Sequence, residues 1–167
     1  MPSARLCRLT IGLCIWGLVA GCAAGIPPQI ADQVAWNLSF VDIRRQPEAY
    51  RGRVVALGGI VTHIEATDEG YRLIVNEVPF EATSQYRPAV DQLPRGRFIV
   101  LIPRRSFPSD LRPGAEITVV GEILGQATAP EVGVNERVPL LDARYVRMWG
   151  PSWWPRFQIG VWGGISI

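Results

Sequence analysis

A mostly β fold is what this sequence predicts: a small closed or nearly closed barrel of five strands with one short N-terminal helix. Three observations carry it. Five stretches have the length and apolar pattern of strands, long connections rich in Gly and Pro separate them, and only one helix-capping signal precedes them. The helix opens at Ser39-Phe40-Val41-Asp42, where Ser39 can accept from the first-turn amides and Asp42, three residues on, imitates a capping box. Pro47 ends it early and opens a second turn, Pro47-Glu48-Ala49-Tyr50, closed by Gly52. Phe40, Ile43 and Tyr50 are the expected core contacts.

The first strand begins at Arg53, with Val54, Ala56, Gly58, Ile60, Thr62 and Ile64 alternating with Val55, Leu57, Gly59, Val61, His63 and Glu65. Gly58-Gly59 in its middle predicts a bulge or tight bend. Asp68-Glu69-Gly70 turns the chain, and Tyr71, Leu73 and Val75 return it, so 53–78 reads as a hairpin. Pro79 to Arg97 follows as a long connection with little periodicity, a length that marks either function or hidden structure. Phe98–Ile102 is a short buried strand, Phe107–Gly114 a turn region, and Glu116–Leu124 a further alternating strand. A loop from Gly125 to Glu136 leads to the last strand through Val138, Leu140, Tyr145 and Trp149, whose alternation slips near Asp142 as at a bulge.

Ahead of the barrel, Arg5 and Arg8 precede an apolar run from Leu9 to Ala20 and a small-residue step into Cys22. This is the order of a secretory signal. The run of about 12 residues is too short to span a bilayer, which takes ~20. Leu18-Val19-Ala20-Gly21-Cys22 resembles the lipobox of bacterial lipoproteins. That resemblance implies cleavage between Gly21 and Cys22, a diacylglyceryl thioether on the Cys22 sulfur, and acylation of the new amine. The organisation follows: 1–21 a lipoprotein signal peptide, 22–38 an acylated tether with a stiff Pro27-Pro28 step, 39–150 the barrel, and 151–167 a Trp-rich tail.

Charge and cysteine usage agree with an envelope address. All 17 basic residues are arginine; two of them lie within 1–21, which leaves 15 against 15 acidic residues. A balanced domain offers no electrostatic footprint for nucleic acid, and no polybasic run to hold anionic lipid, so attachment falls to the acyl chains. Cys7 and Cys14 leave with the signal and Cys22 is consumed, so no free thiol remains in an oxidising compartment.

Catalytic constellations are sparse. With His63 as the one histidine, no His/Cys metal site can be assembled, and Walker, dinucleotide and Gly-x-Ser-x-Gly patterns are absent, so no cofactor is expected. His63 and Glu65 share a strand face, as a general base with its orienting carboxylate or as an exposed pair. Arg87, Arg95, Arg97, Arg104 and Arg105 surround Phe98–Ile102 and form a candidate binding face for an acidic glycan or lipid head group. Trp149, Trp153, Trp154 and Trp162 form a candidate membrane or partner patch, or a tail folded over the barrel.

The lipobox, Phe40, Pro47-Glu48-Ala49-Tyr50-Arg51-Gly52, Val55, Gly58-Gly59-Ile60-Val61, Gly96-Arg97-Phe98, the run Pro113–Gly121 and Tyr145-Val146-Arg147-Met148-Trp149 together resemble the Slp family of outer-membrane lipoproteins, first known as carbon-starvation-inducible. The resemblance covers nearly all of 18–149. It implies an OB-like barrel without established enzyme activity, and Ala23 in place of aspartate after Cys22 implies outer-membrane sorting in a Gram-negative envelope. The expected function is a non-catalytic outer-membrane lipoprotein with a structural or stress-related role. The alternatives are an envelope module binding a glycan, lipid or protein through the 79–97 and 125–136 loops, and an envelope hydrolase acting through His63.

Overall fold

The computed structural model describes residues 26–129 and 136–150. Two short helices, α1 (Pro28–Ala31) and α2 (Phe40–Arg45), and a 3-10 turn at Pro47–Tyr50 precede five strands. These are β1 (Val54–Ala66), β2 (Gly70–Val78), β3 (Gly96–Pro103), β4 (Glu116–Ala129) and β5 (Glu136–Trp149). They close into a barrel in the order β1-β2-β3-β5-β4, antiparallel throughout except for the β3–β5 seam, which is parallel. Closure gives every strand a partner on both sides within the barrel, which is how a small all-β domain avoids pairing with its neighbours.

One side of each strand fills the interior: Val55, Leu57 and Val61 of β1, Leu73 and Val75 of β2, Phe98, Val100 and Ile102 of β3, Ile117, Val119 and Ile123 of β4, and Leu141 of β5. Each end of this interior has its own stopper. At the end where β3 begins, α2 inserts Phe40 and Ile43, with Phe40 tilted against Phe98 at 6.2 Å between centroids. At the end where β3 finishes, Leu111 is buried and Phe107 stacks on Tyr71 at 3.7 Å.

Helix α2 forms as its sequence predicts. Ser39 accepts from the Asp42 amide at 3.3 Å and donates its hydroxyl to the Asp42 carboxylate at 2.6 Å. Gln46 leaves the helical region, Pro47 opens the 3-10 turn, and Gly52, at φ 80°, hands the chain to β1 while its amide bonds the Ile123 carbonyl at 2.8 Å.

Three expectations need correction. The bulge in β1 falls at Thr62, between the pairs Val61–Val75 and His63–Ile74, and not at Gly58-Gly59. Those glycines serve close approach instead: a Cβ on Gly59 would lie 2.4 Å from the Asn76 carbonyl oxygen, and one on Gly58 2.9 Å from the Phe80 ring. The connection after β2 needs none, since it holds structure of its own, one of the two readings of its length, through backbone bonds from Glu81 to Arg87 and Ala89 to Pro79, both 2.8 Å. The region expected as a loop over 125–136 is strand from 125 to 129 and again at 136, because β4 and β5 run on beyond the barrel as a two-stranded arm. The third correction is the tether. From Ile26 onward the segment docks on the barrel, burying Ile26 and Val34 against Val54 and Val120. The slip expected near Asp142 is present, with Arg144 the extra residue opposite Val120 and Gly121.

Candidate functional site

Sheet alternation sends a second set of apolar residues outward, and the chain covers them in two ways. On the β2–β3 face, Ile74 and Ile99 pair directly across the strands. The β4–β5 arm folds over them, burying Ala129 and Val138 in the same cluster and packing Ala127 and Leu140 beside it. The bend that allows this sits at Leu124, the unpaired residue between Ile123 and Gly125, and at Gly125, whose φ is 122°. Two arginines pin the arm. Arg72 donates to the Thr128 carbonyl at 2.6 Å, and Arg97 pairs with Glu136. In OB-type barrels this face and its loops are where oligonucleotides and oligosaccharides bind. Here it is filled by the protein's own chain.

On the β1–β4 face the cover is the N-terminal segment. Ile26, Ile30, Ala31 and Val34 lie over Val54, Ala56 and Val120, and the Ala35 amide bonds the Val54 carbonyl at 2.8 Å. Tyr86 comes in from the long connection at φ 65°, held by Trp36 stacked on its ring at 4.8 Å, Phe80 edge-on at 5.7 Å and the Thr118 hydroxyl on its carbonyl at 2.5 Å. A non-glycine residue in that region is strained, and this packing holds it there.

A groove of about 170 Å³ remains where this cover meets the α2 end of the barrel. Trp36, Phe40, Gly58, Phe80, Glu77 and Arg95 are among its walls. Glu77 is 1% exposed, and both of its carboxylate oxygens take guanidinium hydrogens from Arg95, one at 2.9 Å. The Arg95 amide also bonds the Glu77 carbonyl, at 3.0 Å. The Glu77 hydrogen bonds raise the Arg95 pKa above its ordinary value against the opposing pull of partial burial, so the guanidinium is charged at any pH the fold survives. A buried carboxylate held this way is satisfied and fixed, and it shapes one wall of the groove.

The five arginines expected as one binding face are dispersed. Arg87 pairs with Glu116 at 2.9 Å and donates to the Gly150 carbonyl at 3.0 Å; Arg95 and Arg97 take Glu77 and Glu136. Arg104 donates to the Thr67 carbonyl at 3.1 Å at the far end of β3, and Arg105 is exposed beside it. Carboxylates scattered at 77, 116 and 136 meet three of these arginines only through the fold, so sequence proximity to 98–102 misreads them as one patch. Trp149 is also spoken for, its indole N–H donating to Thr118 at 2.9 Å with the Arg147 guanidinium 4.1 Å over its ring. Trp153, Trp154 and Trp162, with Gly21 and Cys22, lie outside the described residues. His63 is exposed on β1, and the Glu65 carboxylate next to it is engaged by Arg72 at 3.3 Å. The groove beside Glu77 is the feature that sequence reasoning missed; its one early signal was Gly58-Gly59, where the backbone leaves room for Phe80.

Among the described residues no group of three or more His, Cys, Asp or Glu side chains is placed to hold a metal ion, and no helix is long and apolar enough to cross a membrane. The fold defines the class as a closed five-stranded β-barrel, covered on two of its outer faces by its own chain. The family model for outer membrane lipoprotein Slp matches residues 19–158, and the chain belongs to that family. Membership places it, lipid-anchored, at the outer membrane. No individually curated protein matches the sequence.

Proposed function

We propose that this protein is a non-catalytic, acylated component of the outer membrane with a structural or stress-related envelope role, held there by a thioether on Cys22 after cleavage at Gly21. The observation that carries the reading is the arm over the β2–β3 face: the surface on which OB-type barrels take ligands is buried under Ala129 and Val138. The side chains that remain exposed or line the groove support it as well. Ser39 is committed to Asp42, and Glu77 to Arg95. Neither arrangement presents a nucleophile with a free base. Two or more acyl chains, each contributing about 0.8 kcal/mol per buried methylene, are sufficient anchorage for a charge-balanced domain. Labelled palmitate should enter the wild type and not Cys22→Ser; incorporation into both would refute the attachment.

One observation favours a second reading. The groove lined by Phe80 and Arg95 belongs to the 79–97 connection, so a glycan, lipid or protein partner in the envelope would meet the protein there. Photocrosslinking from Leu93 in intact envelopes tests it, with a discrete partner adduct as the expected result and labelling at background as the refutation.

A further inference from the structure

Three large apolar side chains among the described residues are exposed: Trp36 at 48%, Val41 at 39% and Leu93 at 88%. They are far apart in sequence yet gather at one end of the barrel. Trp36 walls the groove, and Val41 follows Phe40, which also walls it and stoppers that end. Leu93 lies two residues before Arg95, another wall, whose carbonyl accepts from Arg44 of α2 at 2.7 Å. On α2, Val41 and Arg45 stand four residues apart on the face opposite Phe40 and Ile43, and both are exposed.

The position of the anchor decides what covers this end. Ile26 is already buried in one cluster with Val34, Val54 and Val120, and Val54 is the first residue of β1, at the α2 end. Only Ala23, Ala24 and Gly25 separate it from Cys22. Four residue steps of extended chain reach at most about 14 Å. By contrast, β3 alone runs about 23 Å from this end to the other. A barrel on so short a leash is pressed against the surface that holds its acyl chains, with the α2 end nearest.

We infer that the α2 end of the barrel is a bilayer-contact surface, with Leu93 and Val41 entering the interfacial layer, Trp36 at headgroup depth and Arg45 at the phosphates. Trp has the amphipathic body that favours this layer, and an arginine beside apolar residues keeps its charge in the headgroups while its stem lies on hydrocarbon. The inference rests on acylation of Cys22. It gives the anchored barrel a fixed orientation, in which the 104–115 end points away from the membrane.

The test uses the full-length acylated protein in vesicles of phosphatidylethanolamine and phosphatidylglycerol. Cys22 is the only cysteine left after the signal is removed, and its sulfur is closed off in the thioether, so a fluorophore can be placed singly at Leu93→Cys, Val41→Cys or, at the opposite end, Asp110→Cys. Shallow brominated lipids should quench the labels at 93 and 41 severalfold more than the label at 110. Equal quenching at all three positions would overturn the orientation. A label at 93 shielded from aqueous iodide yet untouched by brominated lipid would overturn it too, assigning the surface to a protein or a second copy of this chain. Flotation with the vesicles, lost in Cys22→Ser, reads the anchor separately. A protein that floats without quenching at 93 refutes only the contact surface, whereas a wild type that fails to float refutes both.

Discussion

The two outer faces of the barrel are covered by the same chain with different finality. Over β2–β3, the arm contributes Ala129 and Val138 at 0% and 1% exposure, and its strands continue the barrel's own hydrogen-bond ladder. Over β1–β4, the cover is a segment with one four-residue helix whose Ile26 and Val34 are buried less completely, at 8% each, and a groove persists at its edge. A cover that extends two core strands cannot leave without unpairing them. A segment resting on side chains and a few backbone bonds can open by itself, as the least stable parts of a fold do. The closed face is therefore structural, and the adaptable one is covered by the N-terminal segment.

The largest effect should come from attacking the closed face. Val138→Asp puts an unpaired carboxylate beneath the arm and should cost more than about 3 kcal/mol, read as a global drop in urea midpoint with dye binding to the exposed Ile74 and Ile99. Next is the ion pair in the groove. Arg95→Met leaves the Glu77 carboxylate buried without its donor and should cost about 2 kcal/mol, reduced from the fully buried case because Arg95 itself is part-exposed. The matched attack on the other face, Val34→Asp, should cost only about 1–2 kcal/mol, because the segment can peel away. Its signature is faster proteolysis within 26–38 with the barrel's Tm nearly unchanged; a global loss as large as that of Val138→Asp would erase the distinction between the faces. The smallest change is at the cap. Ser39→Ala removes the bond to the Asp42 amide and should lower stability by about 1 kcal/mol in thermal melts.

Some elements were legible because their causes are local. Ser39, Asp42, Pro47 and Gly52 write the helix and its exit in adjacent residues, and the 53–78 hairpin follows from alternation and a Gly70 turn. The slip near Asp142 was readable for the same reason, since an extra residue breaks a period of two. The bulge at Thr62 was not, because nothing in its own neighbourhood distinguishes it from Gly58-Gly59; those glycines answer to Phe80 and Asn76 across the fold. The arginines were misread as one surface because a carboxylate partner leaves no mark near its cation. Arg97 and Glu136 are far apart in the chain and joined only where the arm crosses β3.

Taken alone, the residues determined the strand class, the number of strands and the short helix ahead of them. Those depend on periodicity, caps and short-range order. Which outer face is shut, where a groove survives and which end gathers Trp36, Val41 and Leu93 were decided only by closure of the barrel. Closure brings together positions tens of residues apart, and it turns the same alternating apolar pattern into an interior on one side of each strand and a face to be covered on the other.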